Sequence, residues 1–60
     1  MRYVIAKALD SPLRLRRSVH GAAPSYYFAG DADMNSLVSY STWSGATKAA
    51  ALYGGVVVPA

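Results

Sequence analysis

The last third of the chain, residues 40–60, limits the possible folds more than any other stretch, because it has the pattern of one helix followed by one buried strand. Over about residues 42–53, apolar residues recur at intervals of three and four, so they fall on one side of a helix. These residues are Trp43, Ala46, Ala49, Ala50 and Tyr53. Thr42 can cap this helix, since its hydroxyl can accept a hydrogen bond from a first-turn N–H, and Ser41 or Ser44 could do the same.

A pair of glycines is expected to end the helix and lead into a strand. Gly54 can adopt the left-handed conformation that satisfies the last helical carbonyls, and Gly55 gives the backbone the freedom to turn away from the helix. Three consecutive valines, residues 56–58, then favour a strand covered on both faces, and Pro59 removes a backbone donor at its end. We therefore predict a final strand over residues 55–59, against which the helix packs.

The first two thirds of the chain have the pattern of short strands separated by turns. Residues 3–9 are apolar and partly β-branched, which predicts a first strand. Residues 13–20 alternate between apolar and polar, and a turn at residues 10–12 would pair these two strands as an antiparallel hairpin. The aromatic residues 25–29 predict a third strand, and residues 36–40 alternate as a short strand or extended coil.

Composition favours an ordered chain of marginal stability. Hydrophobic residues make up 53% of the sequence and charged residues only 15%, which is not the composition of a disordered protein. A chain of 60 residues without cysteine buries only about 60% of its unfolded surface and has no disulfide to support it. We predict one α+β domain over residues 1–60, with a mostly antiparallel sheet of three to five short strands and one helix on one face.

The second predicted strand carries a cluster of basic residues. On a strand, Arg14 and Arg16 would lie about 7 Å apart on one outward face, extended by Ser18 and His20. Arg17 would share the opposite, leucine face unless a bulge turns it outward. Such a row could contact phosphates or an acidic protein surface. The alternative is that the charges only keep the sheet soluble and prevent edge pairing.

Aromatic side chains form a second candidate surface. By strand alternation Tyr26 and Phe28 share one face, which we predict to point inward, and Tyr27 is displayed on the other. Tyr27 and Trp43 are then candidate anchors for a partner, because rigid rings are enriched at interface hot spots. The aromatic set that could stack on bases or anchor an interface also includes Tyr40 and Tyr53. The alternative is core packing, since about half of this set must lie in the core of so small a protein.

Catalytic and metal-binding chemistry find little support in the residue pattern. Residues 31–36 match the start of a calcium loop, but Ser36 stands where glycine is needed and Thr42 where a bidentate glutamate is needed, so we interpret them as a polar turn. His20 has no nucleophile or carboxylate that spacing places beside it. We predict no catalytic residue, no metal and no cofactor, and hence a protein that is not an enzyme.

Charge and the N-terminal sequence limit the compartment and the kinds of partner that we expect for this protein. The apolar run at the start is interrupted at Lys7 and Asp10, so it is too short for a signal peptide or a membrane span. The net charge of +3 excludes a protein that imitates DNA with an acidic surface, and it leaves contact with nucleic acid open. We expect a cytoplasmic protein without membrane contact.

Both ends of the chain carry motifs that resemble a loose group of very small proteins encoded by phages and prophages. The motifs are Tyr3-Val4-Ile5, Ser41-Thr42, Ala46, Ala49-Ala50 and Gly54-Gly55-Val56. Several anti-CRISPR proteins are similar in size and in this build of one sheet and one helix. The resemblance covers both ends but not the middle third, and it departs at Gly45, where a polar or charged helix former is more usual. It implies a fold and carries over no functional residue.

These observations lead to one functional hypothesis and two alternatives. We expect a non-enzymatic inhibitor from a phage or mobile element, located in the cytoplasm of the infected bacterial host. It would bind stoichiometrically to a bacterial defence complex of protein or nucleoprotein, such as a CRISPR–Cas effector. The predicted partner-binding residues are Arg14, Arg16, Arg17, His20, Tyr27 and Trp43. The first alternative is a minimal nucleic-acid-binding domain, dimeric and using the same basic strand. The second is a self-assembling structural protein whose valine strand pairs across a two-fold axis.

Overall fold

Six short strands and one helix follow one another along the chain. The computed structural model describes the backbone of residues 1–60 and every side chain except that of His20. The elements are β1 (Tyr3–Ala6), β2 (Arg14–His20), β3 (Ala23–Ala29), β4 (Ser36–Leu37), β5 (Ser39–Tyr40), α1 (Trp43–Tyr53) and β6 (Val56–Pro59). All strand pairs in this described backbone are antiparallel. The predicted α+β fold is confirmed.

Strand β1 lies at the centre of the sheet and has a neighbour along each edge. Along one edge it pairs with β6 over its whole length, from Tyr3 opposite Pro59 to Ala6 opposite Val56. Along the other edge it meets β2 only where Ala6 faces Arg14. The predicted hairpin is therefore antiparallel as expected, but the first strand ends at Ala6 and not at residue 9. The chain turns after Ala6, with the Ser11 N–H bonded to the Ala8 carbonyl.

The segment 36–40 fills the space where β1 and β2 diverge. Its first part, β4, pairs with β2, and its second part, β5, pairs with β1. Between them, the Val38 N–H donates to the Leu15 carbonyl at 3.1 Å. The segment predicted as strand or extended coil is thus two short strands, which raises the number of strands from the predicted three to five to six.

Strands β2 and β3 form a long hairpin with a tight turn. Residues pair from Arg14 opposite Ala29 to His20 opposite Ala23, and Gly21 takes up the turn with a φ of +76°. The third strand therefore starts at Ala23, earlier than the predicted residue 25. It includes Pro24, which is tolerated because β3 is the edge strand of the sheet.

Helix α1 begins and ends with the predicted caps. The Thr42 hydroxyl accepts a hydrogen bond from the Gly45 N–H at 3.1 Å. Gly54 has a φ of +78°, and its N–H donates to the Ala50 carbonyl at 2.8 Å. A Cβ atom at Gly45 would lie 3.1 Å from the Thr42 hydroxyl oxygen, so glycine leaves room for the cap at this position. No helix in the described chain is long and apolar enough to cross a membrane.

The core lies between the alanine face of α1 and the centre of the sheet. Its buried side chains are Ile5, Leu15, Ala46, Ala49 and Ala50. Because the helix contributes only methyl groups, its backbone can approach β1 closely. The prediction that the β6 valines are covered on both faces is wrong: they are only half-buried, because among the described strands β6 pairs with β1 alone. Trp43 was predicted on the packing side of the helix, but it is 59% exposed and packs edge-to-face on Tyr3, which leaves it accessible as the predicted anchor requires.

Candidate partner-binding cleft

The row of basic residues predicted to face outward is largely covered. Arg16 lies on the face of β2 opposite the helix, and its side chain is only 11% exposed. Its Nη1 donates to the Asn35 carbonyl at 3.0 Å, and its Nη2 lies 3.7 Å from a carboxylate oxygen of Asp31. The prediction that Arg16 belongs to an open basic surface is wrong, because the loop of residues 30–35 folds over this face.

Arg14 is held by its own loop. Its Nη1 donates to the carbonyl of Ser11 at 2.6 Å and to that of Leu13 at 3.3 Å, and the residue is half-buried. Ser18, the next residue along the same face, is buried. The predicted pair of outward arginines therefore does not form a free phosphate-spaced row. The side chain of His20, predicted to extend that row, lies outside the described part of the chain.

The assignment of the neighbouring tyrosines is reversed. Tyr27, predicted to be displayed, is half-buried, and its hydroxyl lies 2.9 Å from Asp33 Oδ1 and also bonds to the Asn35 amide. Tyr26, predicted to point inward, is 39% exposed. Phe28 packs against the core as predicted. Alternation gave the correct relative faces, but Tyr26 is covered only in part, by the ring of Tyr53 at the end of α1.

Asp33 organises the loop that covers Arg16. Its Oδ1 accepts a hydrogen bond from the Asn35 N–H at 2.8 Å, as in a turn closed by an aspartate side chain. The Asn35 N–H, the Tyr27 hydroxyl and the Arg16 guanidinium hold the pKa of Asp33 below its ordinary value, although partial burial acts in the opposite direction. Among the described side chains, no three His, Cys, Asp or Glu residues form a group that could hold a metal ion.

This network predicts a specific loss of stability in acid. The pKa of Asp33 is lower in the folded chain, so its contribution is complete above about pH 4 and is lost as the pH falls through the lowered value. We expect the urea midpoint of the wild-type protein to decrease below pH 4 more than that of the Asp33→Asn variant. Asp10→Asn, which changes an exposed aspartate, is the matched control and should keep the wild-type pH dependence. Equal acid sensitivity in Asp33→Asn and wild type would contradict the role of this carboxylate.

On the helix side of the sheet, a cleft with a volume of about 370 Å³ opens beside the end of α1. Three tyrosines, one arginine and the segment between β2 and β1 line it: Tyr26, Tyr40, Tyr53, Arg17 and residues 36–39. A volume of this size falls in the range of pockets that bind ligands. The cleft is therefore the candidate functional site.

Strand register brings the cleft residues together. Arg17 pairs with Tyr26 on one side and with Ser36 on the other, so these three residues form one row across the sheet. Tyr53 is the last residue of α1 and packs on Tyr26, with 5.3 Å between the ring centroids. Tyr40 ends β5 and closes the cleft from the β1 side. Burial raises the pKa of Tyr40, and the nearby phenols of Tyr53 and Tyr26 raise it further.

Arg17 gives the cleft its charge. It is exposed, and it is the one charged residue among the described residues that line the cleft. Within the described part of the chain, its guanidinium has no hydrogen bond or ion pair, unlike those of Arg14 and Arg16. The described lining of the cleft thus combines one free cation with three phenol rings, an exposed leucine, a half-buried valine and two serines.

Only one of the predicted partner-binding residues lies in this cleft. Arg17 is there, whereas Arg14, Arg16 and Tyr27 lie on the opposite face of the β2–β3 hairpin. Trp43 is exposed at the other end of α1, ten residues and about 15 Å along the helix from Tyr53. The three tyrosines belong to the predicted aromatic set, but their convergence was not predicted, because they come from β3, β5 and α1 and no spacing links them.

Comparisons with known protein families, with curated proteins and with solved structures find no match to this chain.

Proposed function

We propose that this chain is a non-enzymatic binding protein that acts by stoichiometric contact with another protein, and that the cleft of Arg17 and the three tyrosines is the contact site. One observation supports this most: residues from β2, β3, β5 and α1 converge on an open cleft of tyrosine and arginine. These two residue types are enriched among hot spots, where rigid rings with polar tips bury large area at low entropic cost.

The specific form of this proposal is an inhibitor of a bacterial defence complex, encoded by a phage or mobile element and similar to anti-CRISPR proteins. Its support is the resemblance at the two ends of the chain. The contact surface differs from the one expected from sequence, since Arg14 and Arg16 are engaged by backbone carbonyls. That engagement also weakens the case for a nucleic-acid-binding domain, which would need several free cations in a row.

Capture from bacterial lysate, followed by affinity measurement with the purified partner, tests the proposal. We expect a partner protein bound at a fixed molar ratio, and we expect the Arg17→Ala variant to lose at least tenfold in affinity, or about 1.4 kcal/mol. Lys48→Ala removes an exposed cation on the outer side of α1 and is the matched control, which should bind as the wild type does. Circular dichroism establishes that both variants are folded.

Two outcomes would contradict the proposal. A partner held with full affinity by Arg17→Ala would place the contact surface elsewhere. Binding to free DNA or RNA, with an affinity that falls steeply with salt, would favour the nucleic-acid-binding alternative.

A further inference from the structure

We propose that the cleft binds an extended, acidic, proline-containing segment of a partner protein, with its carboxylate on Arg17 and its proline between the tyrosine rings. This inference rests on the proposed function and names the chemistry of its ligand. It depends on three features of the cleft: the sign and number of its charges, the character of its walls, and its open shape.

The charge favours a carboxylate. Arg17 offers a planar guanidinium that can bind a carboxylate through two parallel hydrogen bonds. It is the one charged residue among the described lining residues, so a ligand group with a single negative charge is neutralised. A phosphate group carries nearly two negative charges at neutral pH. Arg14 and Arg16 are bound to backbone carbonyls on the other face, and Arg2 does not line the cleft but donates to Ser39 Oγ at 2.7 Å, so Arg17 alone faces the ligand.

The walls favour proline beside that carboxylate. Tyr26 and Tyr53 form one wall, with their rings inclined by 39°, and Tyr40 stands at the other side. Grooves lined by aromatic rings bind proline-rich segments, because such segments are already extended and lose little entropy on binding. Phenol hydroxyls and the Ser36 hydroxyl can donate to the peptide carbonyls that a proline segment leaves exposed, whereas Ser39 Oγ already accepts two hydrogen bonds from Arg2.

Selection from a library of random dodecamer peptides, with the full chain as bait, tests the inference. We expect the selected peptides to be enriched in Asp or Glu within two positions of Pro, relative to peptides selected on the Arg17→Ala bait. For a synthetic copy of a selected peptide, replacing its Glu by Gln or its Asp by Asn should weaken binding at least tenfold. Arg17→Ala should weaken it equally, and Lys48→Ala by less than twofold.

Variants of Tyr26 distinguish the contribution of its ring to binding from that of its hydroxyl. Because Tyr26 is 39% exposed, its replacement should leave the fold intact, which circular dichroism can verify. We expect Tyr26→Ala to weaken the selected peptide severalfold and Tyr26→Phe to retain most of the affinity, since the flat ring makes the contact with proline.

The outcomes distinguish this inference from the proposed function. Selected peptides that depend on Arg17 but carry no carboxylate or no proline would overturn the ligand class and leave the cleft as a binding site. A selection without enrichment would overturn the inference that the ligand is a linear segment. Capture of a folded partner whose binding depends on Arg17 would still support the proposed function. Tighter binding of a ten-nucleotide thymidine oligomer than of any selected peptide would overturn both.

Discussion

The Gly55→Ala variant should be less stable than the wild type by about 1–3 kcal/mol or more, because there is no room for a methyl group at this position. A Cβ atom there would lie 2.5 Å from the Ala6 carbonyl oxygen, 2.6 Å from Ile5 Cγ2 and 3.0 Å from Phe28 Cζ. The first contact is with sheet backbone and the second with a fully buried side chain, so neither atom can move away without disturbing the sheet or the core. The midpoint of urea unfolding, followed by circular dichroism, measures the effect.

Gly30→Ala is the matched control for this prediction. The atom nearest to a Cβ at Gly30 is Leu13 Cδ2 at 3.9 Å, which is an ordinary van der Waals contact, and Gly30 has no positive φ. We expect this variant to be as stable as the wild type or about 0.4–1 kcal/mol more stable, because alanine restricts the unfolded chain. Equal destabilisation by both substitutions would show that close approach at Gly55 is not the cause.

The features that the sequence predicted correctly are those that depend on near neighbours. A threonine ahead of an apolar periodic stretch and a glycine after it determine the ends of α1, because each cap involves residues within four positions of it. The antiparallel pairing of the first two strands was also predicted, although β1 and β2 meet only where Ala6 faces Arg14, whereas the long hairpin of β2 and β3 was not predicted. The helix bounds, both caps and the α+β class could therefore be inferred before any tertiary contact was known.

The features that could not be predicted depend on which parts of the chain cover one another. Alternation on β2 and β3 separated Arg16 and Tyr27 from Arg17 and Tyr26, and this separation is correct. It could not show that the loop of residues 30–35 covers the first pair, or that α1 reaches the second pair only with Tyr53, its last residue. The outward and inward assignments were therefore reversed for the tyrosines, although the periodicity was interpreted correctly.

The candidate functional site could not be predicted for the same reason. Tyr26, Tyr40 and Tyr53 are separated by more than a dozen residues and share no spacing, so only the folded chain brings them together. Arg17 was the least promising of the predicted arginines, because alternation placed it on the leucine face. Among the described side chains, however, Arg17 has no hydrogen bond or ion pair, and it is exposed to solvent.

The Leu15→Ala variant should lose about 2–5 kcal/mol of stability, the range for truncation of a buried leucine. Leu15 is 1% exposed and lies in the core beneath the alanine face of α1. A domain of 60 residues has a total stability of only about 3–9 kcal/mol, so this loss is a large share of the total free energy of unfolding. Circular dichroism and the urea midpoint measure this loss.

Leu52→Ala removes the same atoms from a position in α1 that is 75% exposed, and it is the matched control. We expect a change within about 0.5 kcal/mol, because the position is at the surface and alanine is the better helix former. Comparable losses from both substitutions would mean that the helix does not pack on β1 and β2 through its alanine face. Because Leu15 and Arg17 lie on the same face of β2, two residues apart, that result would also remove the basis for placing the cleft beside the end of α1.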